Sequence, residues 1–440
     1  MTQLVRTRGA VAPLRRARLI DAPAILPAVA DLVAMLRPEE PLHCLRPAAI
    51  EAAARDFVQG FPGRTLYAVK CNAEPAVLRD LWRGGVRHFD CASAAEVALV
   101  RTMFPEAGIH CMHPVKARGA IREAWGAQGV RDFVLDSAEE LAKILAETGG
   151  AGAAEGLGLP LGLVVRLALP KGEAALDLSG KFGAAPEEAA ALLRAARPHA
   201  ARLGLSFHVG SQCADPLAWG RAIALAGRVA RAAGVAVDVL DVGGGFPAAY
   251  PGLEAPPPLG AFFAEIEDAA EEAGLGHCTL WAEPGRALVA GGASVVVQVQ
   301  ARRGDALHVN DGVYGALSDA APRMGFRFPC RLIRPDGAAA AVAQRDFTLF
   351  GPTCDSADVM PGPWPPPADV AEGDWIEIGQ LGAYGTALRT AFNGFDRDRT
   401  PRTRWQLRHS GRTTPTRPRR DAPRVPPSPA LRGRAGVGVL

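Results

Sequence analysis

The chain of 440 residues lacks several features that would assign it to a familiar class of protein. Its longest stretch without a charged residue covers residues 287–301, which is shorter than the ~20 apolar residues that a membrane-spanning helix needs. Eight scattered cysteines are too few for a disulfide scaffold in a chain of this length. There is no His-Glu-x-x-His motif and no pair of Cys-x-x-Cys motifs, so we expect no metal site. We therefore expect a cytoplasmic globular protein without a membrane partner.

Lysine is also scarce, because only five lysines stand beside 44 arginines among the 49 basic residues. One of them, Lys70, ends the apolar run LYAVK. A lysine can lose its proton and form a Schiff base, whereas arginine keeps its charge. Lys70 is therefore a candidate for covalent chemistry. Taken alone, such a lysine is more often a surface or ion-pair residue, and that alternative stays open.

Positive charge is concentrated at the carboxyl end of the chain. Residues 397–440 contain twelve arginines, two aspartates and seven prolines, which gives this segment a net charge of +10. Subtracting it from the total of +3 leaves −7 on residues 1–396. A segment of this composition cannot offset its ordering entropy by burial, so we expect a disordered, solvated tail. A nucleic-acid or membrane arm is the alternative, but we do not expect the chain to bind nucleic acid.

Apolar runs alternate with stretches of helical spacing over residues 45–286. The eight runs cover residues 66–70, 88–93, 109–114, 132–137, 162–169, 205–211, 237–246 and 279–286. Eight strands that alternate with helices predict parallel pairing and a (β/α)8 TIM barrel, with an open doubly wound sheet as the alternative. Over residues 287–396, short strands separated by Gly, Pro and Asp predict an antiparallel β domain. Residues 361–367, PGPWPPP, are predicted to form a loop.

Several polar or glycine-rich motifs follow the predicted barrel strands, whose carboxyl ends form the active-site face of such barrels. Gly243-Gly244-Gly245 can bring backbone N–H groups around an anion. Glu283-Pro284-Gly285-Arg286 combines a turn with an acid suited to a protonated ring nitrogen and an arginine suited to phosphate. His208 and Ser211 end another strand. The structural alternatives are a flexible turn, a salt bridge beside a turn, and a core histidine.

Two further motifs are ambiguous. Asp90 and Glu96 lie on either side of Ser93, and a capping box between Ser93 and Glu96 is a sufficient structural reason for that pair. Cys354-Asp355 lies in the loop GPTCDSAD. A buried cysteine is usually a small apolar residue, but that interpretation is weaker for a cysteine beside carboxylates in a polar loop.

Nine motifs occur in one order: LYAVKCN, FDCAS, HVGSQ, LDVGGGFP, AEPGR, NDGVYG, GPTCDSAD, GAYG and FNGF. This set resembles the ornithine decarboxylase group of pyridoxal-phosphate enzymes, whose fold is similar to that of alanine racemase, over about residues 20–395. The resemblance implies a (β/α)8 barrel followed by a β-barrel domain. It also implies that residues 1–44 add a strand to that domain near residues 17–21, and that a homodimer shares its active sites between subunits.

The resemblance also implies roles for individual residues. Lys70 would carry pyridoxal 5′-phosphate on its amine, Glu283 would keep the pyridine nitrogen protonated, and His208 would stack on the ring. The remaining residues implied to line the cofactor are Asp90, Glu96, Arg166, Ser211, Gly243, Gly244, Gly245, Pro284, Gly285, Arg286 and Tyr384.

Substrate residues are implied in the same way. Cys354, delivered from the partner subunit, would protonate the substrate's α-carbon, and Asp355 would bind the distal ammonium of a diamino acid. Asp319 would be the second distal acid, although its spacing from NDGVYG requires a gap. Phe392 would form a wall of the substrate pocket.

The implied function is decarboxylation of a basic diamino acid. L-Ornithine is the first candidate substrate and lysine is the second, and an enzyme that uses both is an alternative. Putrescine formation would place the chain in polyamine biosynthesis. The similar diaminopimelate decarboxylases have Cys-Glu-Ser where this chain has Cys-Asp-Ser, and the Asp favours a bare terminal amine. Lys181 and Asp358 match positions that pair across the dimer interface. A diaminopimelate decarboxylase and an inactive regulatory homologue remain alternatives.

Overall fold

The computed structural model describes residues 27–149, 160–170 and 180–397. The strand predicted near residues 17–21 lies outside these ranges, as does the predicted tail beyond its first residue. All eight strands predicted between residues 66 and 286 are within them.

The eight predicted runs form a closed barrel of parallel strands in which each strand pairs with the next and the last pairs with the first. The strands are β2 Arg64–Ala68, β3 His88–Cys91, β4 Gly108–Cys111, β5 Asp132–Leu135, β6 Gly162–Arg166, β7 Arg202–Ser206, β8 Val239–Asp241 and β9 Thr279–Ala282. The TIM barrel is thereby confirmed over the open doubly wound sheet. All eight strands end two to five residues earlier than predicted, so most of the polar motifs lie in the loops beyond them.

Helices surround the barrel and also precede it. The described helices are α1 Val29–Leu36, α2 Pro47–Gly60, α3 Pro75–Arg83, α4 Ala94–Met103, α5 Arg118–Gly126, α6 Ala138–Thr148, α7 Pro186–Ala196, α8 Leu217–Ala233, α9 Leu259–Glu272 and α10 Arg286–Val289. Helices α4 and α6 begin after Ser93 and Ser137, whose hydroxyls accept backbone N–H bonds three residues later. None of the described helices combines the length and apolar composition that crossing a membrane requires.

Seven strands form a second sheet. They are β1 Leu42–Leu45, β10 Ala293–Arg303, β11 Ala306–Val309, β12 Cys330–Ile333, β13 Phe347–Phe350, β14 Val359–Trp364 and β15 Trp375–Ile378. The long strand β10 pairs with β1, β11 and β15. All of the strand pairs in this sheet are antiparallel except that of β11 with β13, which is parallel. The sheet is therefore mixed, which departs from the purely antiparallel expectation.

The prediction of a loop over residues 361–367 was wrong in part, because β14 extends to Trp364. Strand β14 lies at the end of the strand order and pairs only with β13 there, with a shift in register. Proline lacks the N–H that an interior strand must donate, but an edge strand leaves one row of backbone groups unpaired. The edge position therefore accommodates Pro361 and Pro363.

A buried polar cluster joins the start of the barrel to the sheet. Arg46, which precedes α2, donates to the Glu377 carboxylate of β15 and, at 2.9 Å, to the Ser294 hydroxyl of β10. Ser294 in turn donates to Glu377 at 2.9 Å. Arg46 and Glu377 are each only 1% exposed, and breaking a buried pair by removing one partner is costly. The cluster therefore fixes the barrel and the sheet relative to each other.

Candidate active site

The amine of Lys70 lies beside a buried carboxylate at the carboxyl end of the barrel. Lys70 occupies a single 3-10 turn, Val69–Cys71, directly after β2, and Asp90 lies within β3. The Lys70 Nζ atom is 3.0 Å from Asp90 Oδ2. The Lys70 side chain is 48% exposed while that of Asp90 is 2% exposed. The amine is therefore held in place and remains partly exposed.

Electrostatics keep this amine protonated when nothing is bound. Desolvation by the surrounding protein lowers the pKa of Lys70, but Asp90 and Glu283 outweigh that effect and raise its pKa above the ordinary value. The amine must release a proton before it can act as a nucleophile. Asp90 is the carboxylate in direct contact with the amine.

Glu283 belongs to a pair of buried carboxyl groups that the sequence analysis did not anticipate. Its partner, Asp241, ends β8 and is fully buried. Desolvation, followed by repulsion from Asp241 and Asp90, raises the pKa of Glu283 well above its usual range. Desolvation also raises the pKa of Asp241 to about 6, although Asp241 accepts the Gly243 N–H at 2.9 Å. The surroundings therefore favour the neutral, protonated form of Glu283.

The three consecutive glycines form a tight cradle that is separated from the end of β8 by one residue. Gly243 and Gly245 have φ angles of +67° and +100°, which side-chain-bearing residues rarely adopt. A Cβ on Gly243 would lie 2.2 Å from the Phe207 carbonyl oxygen, and one on Gly245 would lie 2.3 Å from that of Gly210. Only glycine fits here, and the resulting bare backbone can approach an anion.

Arg286 lies beside this cradle at the amino terminus of α10 and is 4% exposed. Its Nη1 atom lies 2.9 Å from the Tyr250 hydroxyl and 2.9 Å from Asp319 Oδ2. Desolvation lowers the pKa of Arg286, but Tyr250 and Asp319 outweigh it and raise the pKa. Asp319, predicted as a distal substrate acid, is thus paired with the predicted phosphate arginine. Tyr250 was not predicted as a site residue, since nothing in its local sequence indicates a role.

The sheet domain contributes a loop to the same cavity. Tyr384 adopts a left-handed conformation, with a φ angle of +53°. Its N–H donates to the Cys71 carbonyl at 3.0 Å, and its ring lies 5.0 Å from the Arg286 guanidinium carbon. The Asn72 side chain donates to the Gly382 carbonyl at 2.8 Å. These bonds hold the loop against the segment that carries Lys70.

The predicted ring-stacking histidine is neutral. Desolvation, with smaller effects of Arg166 and Lys70, lowers the pKa of His208 well below its usual range. The His208 Nδ1 atom accepts the Gly210 N–H at 3.0 Å, which leaves the proton on Nε2. Arg166 ends β6, and Ser211 follows His208 in the same loop.

Glu96 lies at the start of α4, where one of the two bonds of the expected capping box with Ser93 is present and the other is replaced by a bond to Ala92. Its Oε2 atom accepts the Ala92 N–H at 2.7 Å, and its own N–H donates to the Ser93 hydroxyl at 3.2 Å. Both bonds order the start of α4. Desolvation raises the pKa of Glu96, and the Asp90 charge adds to that rise.

A second group of predicted site residues lies in the sheet domain. Among the described residues of one protomer, no hydrogen bond, ion pair or ring contact joins them to Lys70. Cys354 is exposed, and its N–H donates to the Asn393 side chain at 3.0 Å. The Asp355 carboxylate accepts the Tyr314 hydroxyl and, at 2.9 Å, the Ala357 N–H. The rings of Tyr314 and Phe392 lie 4.8 Å apart.

The predicted interface pair is not joined within the described protomer. Asp358 is 3% exposed and accepts the Val313 N–H at 2.8 Å and the Thr353 hydroxyl at 2.7 Å. Lys181 is exposed, and its amine lies 4.9 Å from the Phe182 ring centre.

Comparison with known proteins agrees with this geometry. Residues 47–290 match the profile of the pyridoxal-dependent decarboxylase pyridoxal-binding domain, and residues 287–382 match the C-terminal sheet domain of the same family. The ornithine decarboxylase of Panagrellus redivivus is 34% identical over 375 residues, which cover 76% of this chain and 78% of that protein.

Two solved structures are also similar. Arginine decarboxylase of Paramecium bursaria Chlorella virus, bound to agmatine, has a TM-score of 0.72 and 28% identity, covering 85% of this chain and 99% of that one. Lysine/ornithine decarboxylase of Vibrio vulnificus, complexed with putrescine, has a TM-score of 0.69 and 31% identity, covering 84% and 95%. The chain belongs to the pyridoxal-dependent decarboxylase family. It is a carboxy-lyase that acts on basic amino acids with pyridoxal phosphate as cofactor.

The residues present fit that cofactor. The Lys70 amine is half-exposed beside a buried acid, and the glycine cradle has no space for side chains. The Arg286 Nε atom is buried without a hydrogen-bond partner among the described residues. An amine, a proton-bearing carboxyl group and an anion cradle are the groups that an aldehyde, a pyridine nitrogen and a phosphate require.

We predict that Asp241→Asn stabilises the cofactor-free protein at pH 8 and has less effect at pH 5. The pKa of Asp241 rises from 3.8 to about 6 on folding, so its favourable contribution is complete below pH 4 and is lost as pH rises through 6. Removing the charge should add on the order of 1–3 kcal/mol to the free energy of unfolding at pH 8. Urea denaturation at both pH values measures this effect.

Asp238→Asn is the matched control, because hydrogen bonds from Leu203 and Arg197 lower the pKa of Asp238 despite its partial desolvation. It should destabilise the protein at pH 8. An Asp241→Asn effect that is equal at the two pH values would contradict the assignment of a buried, proton-retaining pair.

Proposed function

We propose that the preferred substrate is L-ornithine, which the enzyme converts to putrescine and CO2 as a cytoplasmic step of polyamine biosynthesis. The observation that carries the substrate assignment is Asp355, a short acid held by Tyr314 in the loop that also presents Cys354. Its side chain suits a terminal ammonium that bears no carboxylate. The similarity to an ornithine and a lysine/ornithine decarboxylase supports this choice.

The barrel residues prepare the reaction site. Lys70 would hold the cofactor through its amine, which Asp90 positions at 3.0 Å. Glu283 carries the proton that the pyridine nitrogen needs, because desolvation favours its neutral form. Bound pyridoxal phosphate supplies an electron sink for the electron pair that remains on the substrate's α-carbon when CO2 departs.

The residues at the carboxyl end of the barrel would also orient the cofactor and the substrate. Arg286, the glycine cradle and Tyr384 surround the expected phosphate position from three separate loops. Neutral His208 offers an aromatic face without adding a cation beside the ring. Such a rigid arrangement can hold the scissile carboxylate in the alignment that decarboxylation requires.

The remaining residues would come from a second subunit. Cys354, Asp355 and Phe392 have no recorded contact with the Lys70 cluster among the described residues of one protomer. Phe392 and Phe395 are 43% and 47% exposed, which is unusual for large apolar side chains. A homodimer in which this surface faces the partner's barrel would complete both active sites.

Substrate charge is recognised at Asp355. The Ala357 N–H and the Tyr314 hydroxyl lower the pKa of Asp355, so the group is ionised at neutral pH and can pair with an ammonium. The net charge of −7 on residues 1–396 also favours a cationic substrate. Lysine is the second candidate, because an added methylene changes binding by only ~1–3 kcal/mol.

We predict that Asp355→Asn raises KM for ornithine about tenfold or more, because a charge-assisted hydrogen bond is lost. The value of kcat and the absorbance of bound cofactor should change little. CO2 release from ornithine, lysine, arginine and diaminopimelate is the measurement, with wild-type preference for ornithine expected.

Asp369→Asn is the control, since Asp369 is an exposed carboxylate of the same domain that pairs with Arg334. It should leave KM unchanged. Preference of the wild type for diaminopimelate, or an unaltered KM in Asp355→Asn, would overturn the substrate assignment. Absence of CO2 release from all four would favour the regulatory homologue.

We also predict that mixing Lys70→Ala chains, which lack the cofactor-binding amine, with Cys354→Ala chains, which lack the proton donor, restores putrescine formation. With random pairing, half of the dimers are mixed and each has one intact site, which gives about one quarter of the wild-type activity. Mixing Lys70→Ala with Arg286→Ala is the control, because both changes lie in the barrel and no mixed site is intact. Lack of recovery despite demonstrated subunit exchange would exclude a shared site.

A further inference from the structure

We propose that Tyr250 is a further phosphate-binding residue, which donates its hydroxyl hydrogen to the cofactor phosphate while its oxygen accepts from Arg286. This inference rests on the proposed role of Arg286 and deepens it. Tyr250 lies five residues beyond Gly245, in the loop GGGFPAAY that leaves the glycine cradle.

The position of the phenol is firmly held. Tyr250 is 4% exposed. Its ring stacks on Phe326 at a centroid distance of 5.3 Å and an angle of 20°, and it meets Phe328 edge-on at 5.4 Å. The Arg286 Nη1 atom donates to the Tyr250 hydroxyl oxygen at 2.9 Å. The hydroxyl is thus placed beside the guanidinium that we assign to the phosphate.

The hydrogen of this hydroxyl has no recorded acceptor among the described residues. A phenol offers one donor and two acceptor positions, and the recorded bond to Arg286 uses an acceptor position. Desolvation raises the pKa of Tyr250, so the group retains its hydrogen at neutral pH. A buried donor without an acceptor is costly, and an anion in the cavity would remove that cost.

A phosphate is the anion whose chemistry matches this site. It presents several strong acceptor oxygens and can bind Arg286 and a neighbouring neutral donor together. Asp319 supplies an anionic partner for Arg286 within the cofactor-free protein, but no hydrogen bond from Tyr250 to Asp319 is recorded. A neutral hydroxyl binds phosphate without the repulsion that Asp319 would contribute.

The test compares binding of pyridoxal phosphate and of pyridoxal, which lacks the phosphate, to cofactor-free protein. Tyr250→Phe keeps the aromatic packing and removes only the hydroxyl. We expect it to weaken pyridoxal phosphate binding about tenfold and to leave pyridoxal binding within twofold. The 31P resonance of the bound phosphate should also shift. Equal weakening of both ligands, or no weakening of either, would overturn the proposal.

Tyr67→Phe is the matched control, because the buried Tyr67 hydroxyl donates to the Asn72 carbonyl at 3.0 Å. It should leave the ratio of the two affinities unchanged. Thermal unfolding of each variant shows whether it is folded.

A double-mutant cycle separates direct contact from an effect through Arg286. In an Arg286→Gln background, Tyr250→Phe should weaken pyridoxal phosphate binding further if the hydroxyl contacts the phosphate. No further weakening would mean that Tyr250 acts only by positioning Arg286, and would overturn direct contact. If Tyr250→Phe binds normally while Lys70 still captures the cofactor, only this inference fails. If the wild type binds neither ligand, the proposed site fails as well.

Discussion

The site depends on the confinement of one cation, the Lys70 amine, by buried carboxyl groups at the mouth of the barrel. Asp90 lies 3.0 Å from the amine, and Glu283 and Asp241 supply further buried acid. Desolvation, together with repulsion from Asp241 and Asp90, favours the neutral form of Glu283 in this pocket. The same electrostatic constraint thus places the Lys70 amine beside the Asp90 carboxylate and provides the Glu283 carboxyl group for a ring nitrogen.

This electrostatic arrangement requires a fold that holds the ionisable side chains in fixed positions. Lys70, Asp90, Asp241 and Glu283 lie at or just beyond the ends of four barrel strands, where loops can vary without disturbing the core. The sheet domain closes one side of the cavity through the Tyr384 bond to Cys71. It also presents a separate loop with Cys354 and Asp355, which would complete the partner's site under the proposed sharing of sites between two subunits.

Much of this arrangement could be predicted from sequence because its signals are local. Strand and helix periodicity, the serine caps and the glycine cradle reflect forces within a few residues of chain. The edge strand β14 was missed because its prolines are tolerated only where a strand has one free side, which is a property of the assembled sheet. The roles of Asp241 and Tyr250 depend on contacts with Glu283 and Arg286, more than 30 residues away. Asp319 was placed near the site, but its pairing with Arg286 could not be inferred from spacing.

The central claim is that Lys70 captures pyridoxal phosphate covalently. It is tested most directly by adding the cofactor to the purified protein, reducing with borohydride and locating the added mass by peptide mass spectrometry. The account predicts a stoichiometric label on Lys70, and none on the other four lysines or on Lys70→Arg protein. A colourless protein without a label at Lys70 after cofactor addition would contradict it.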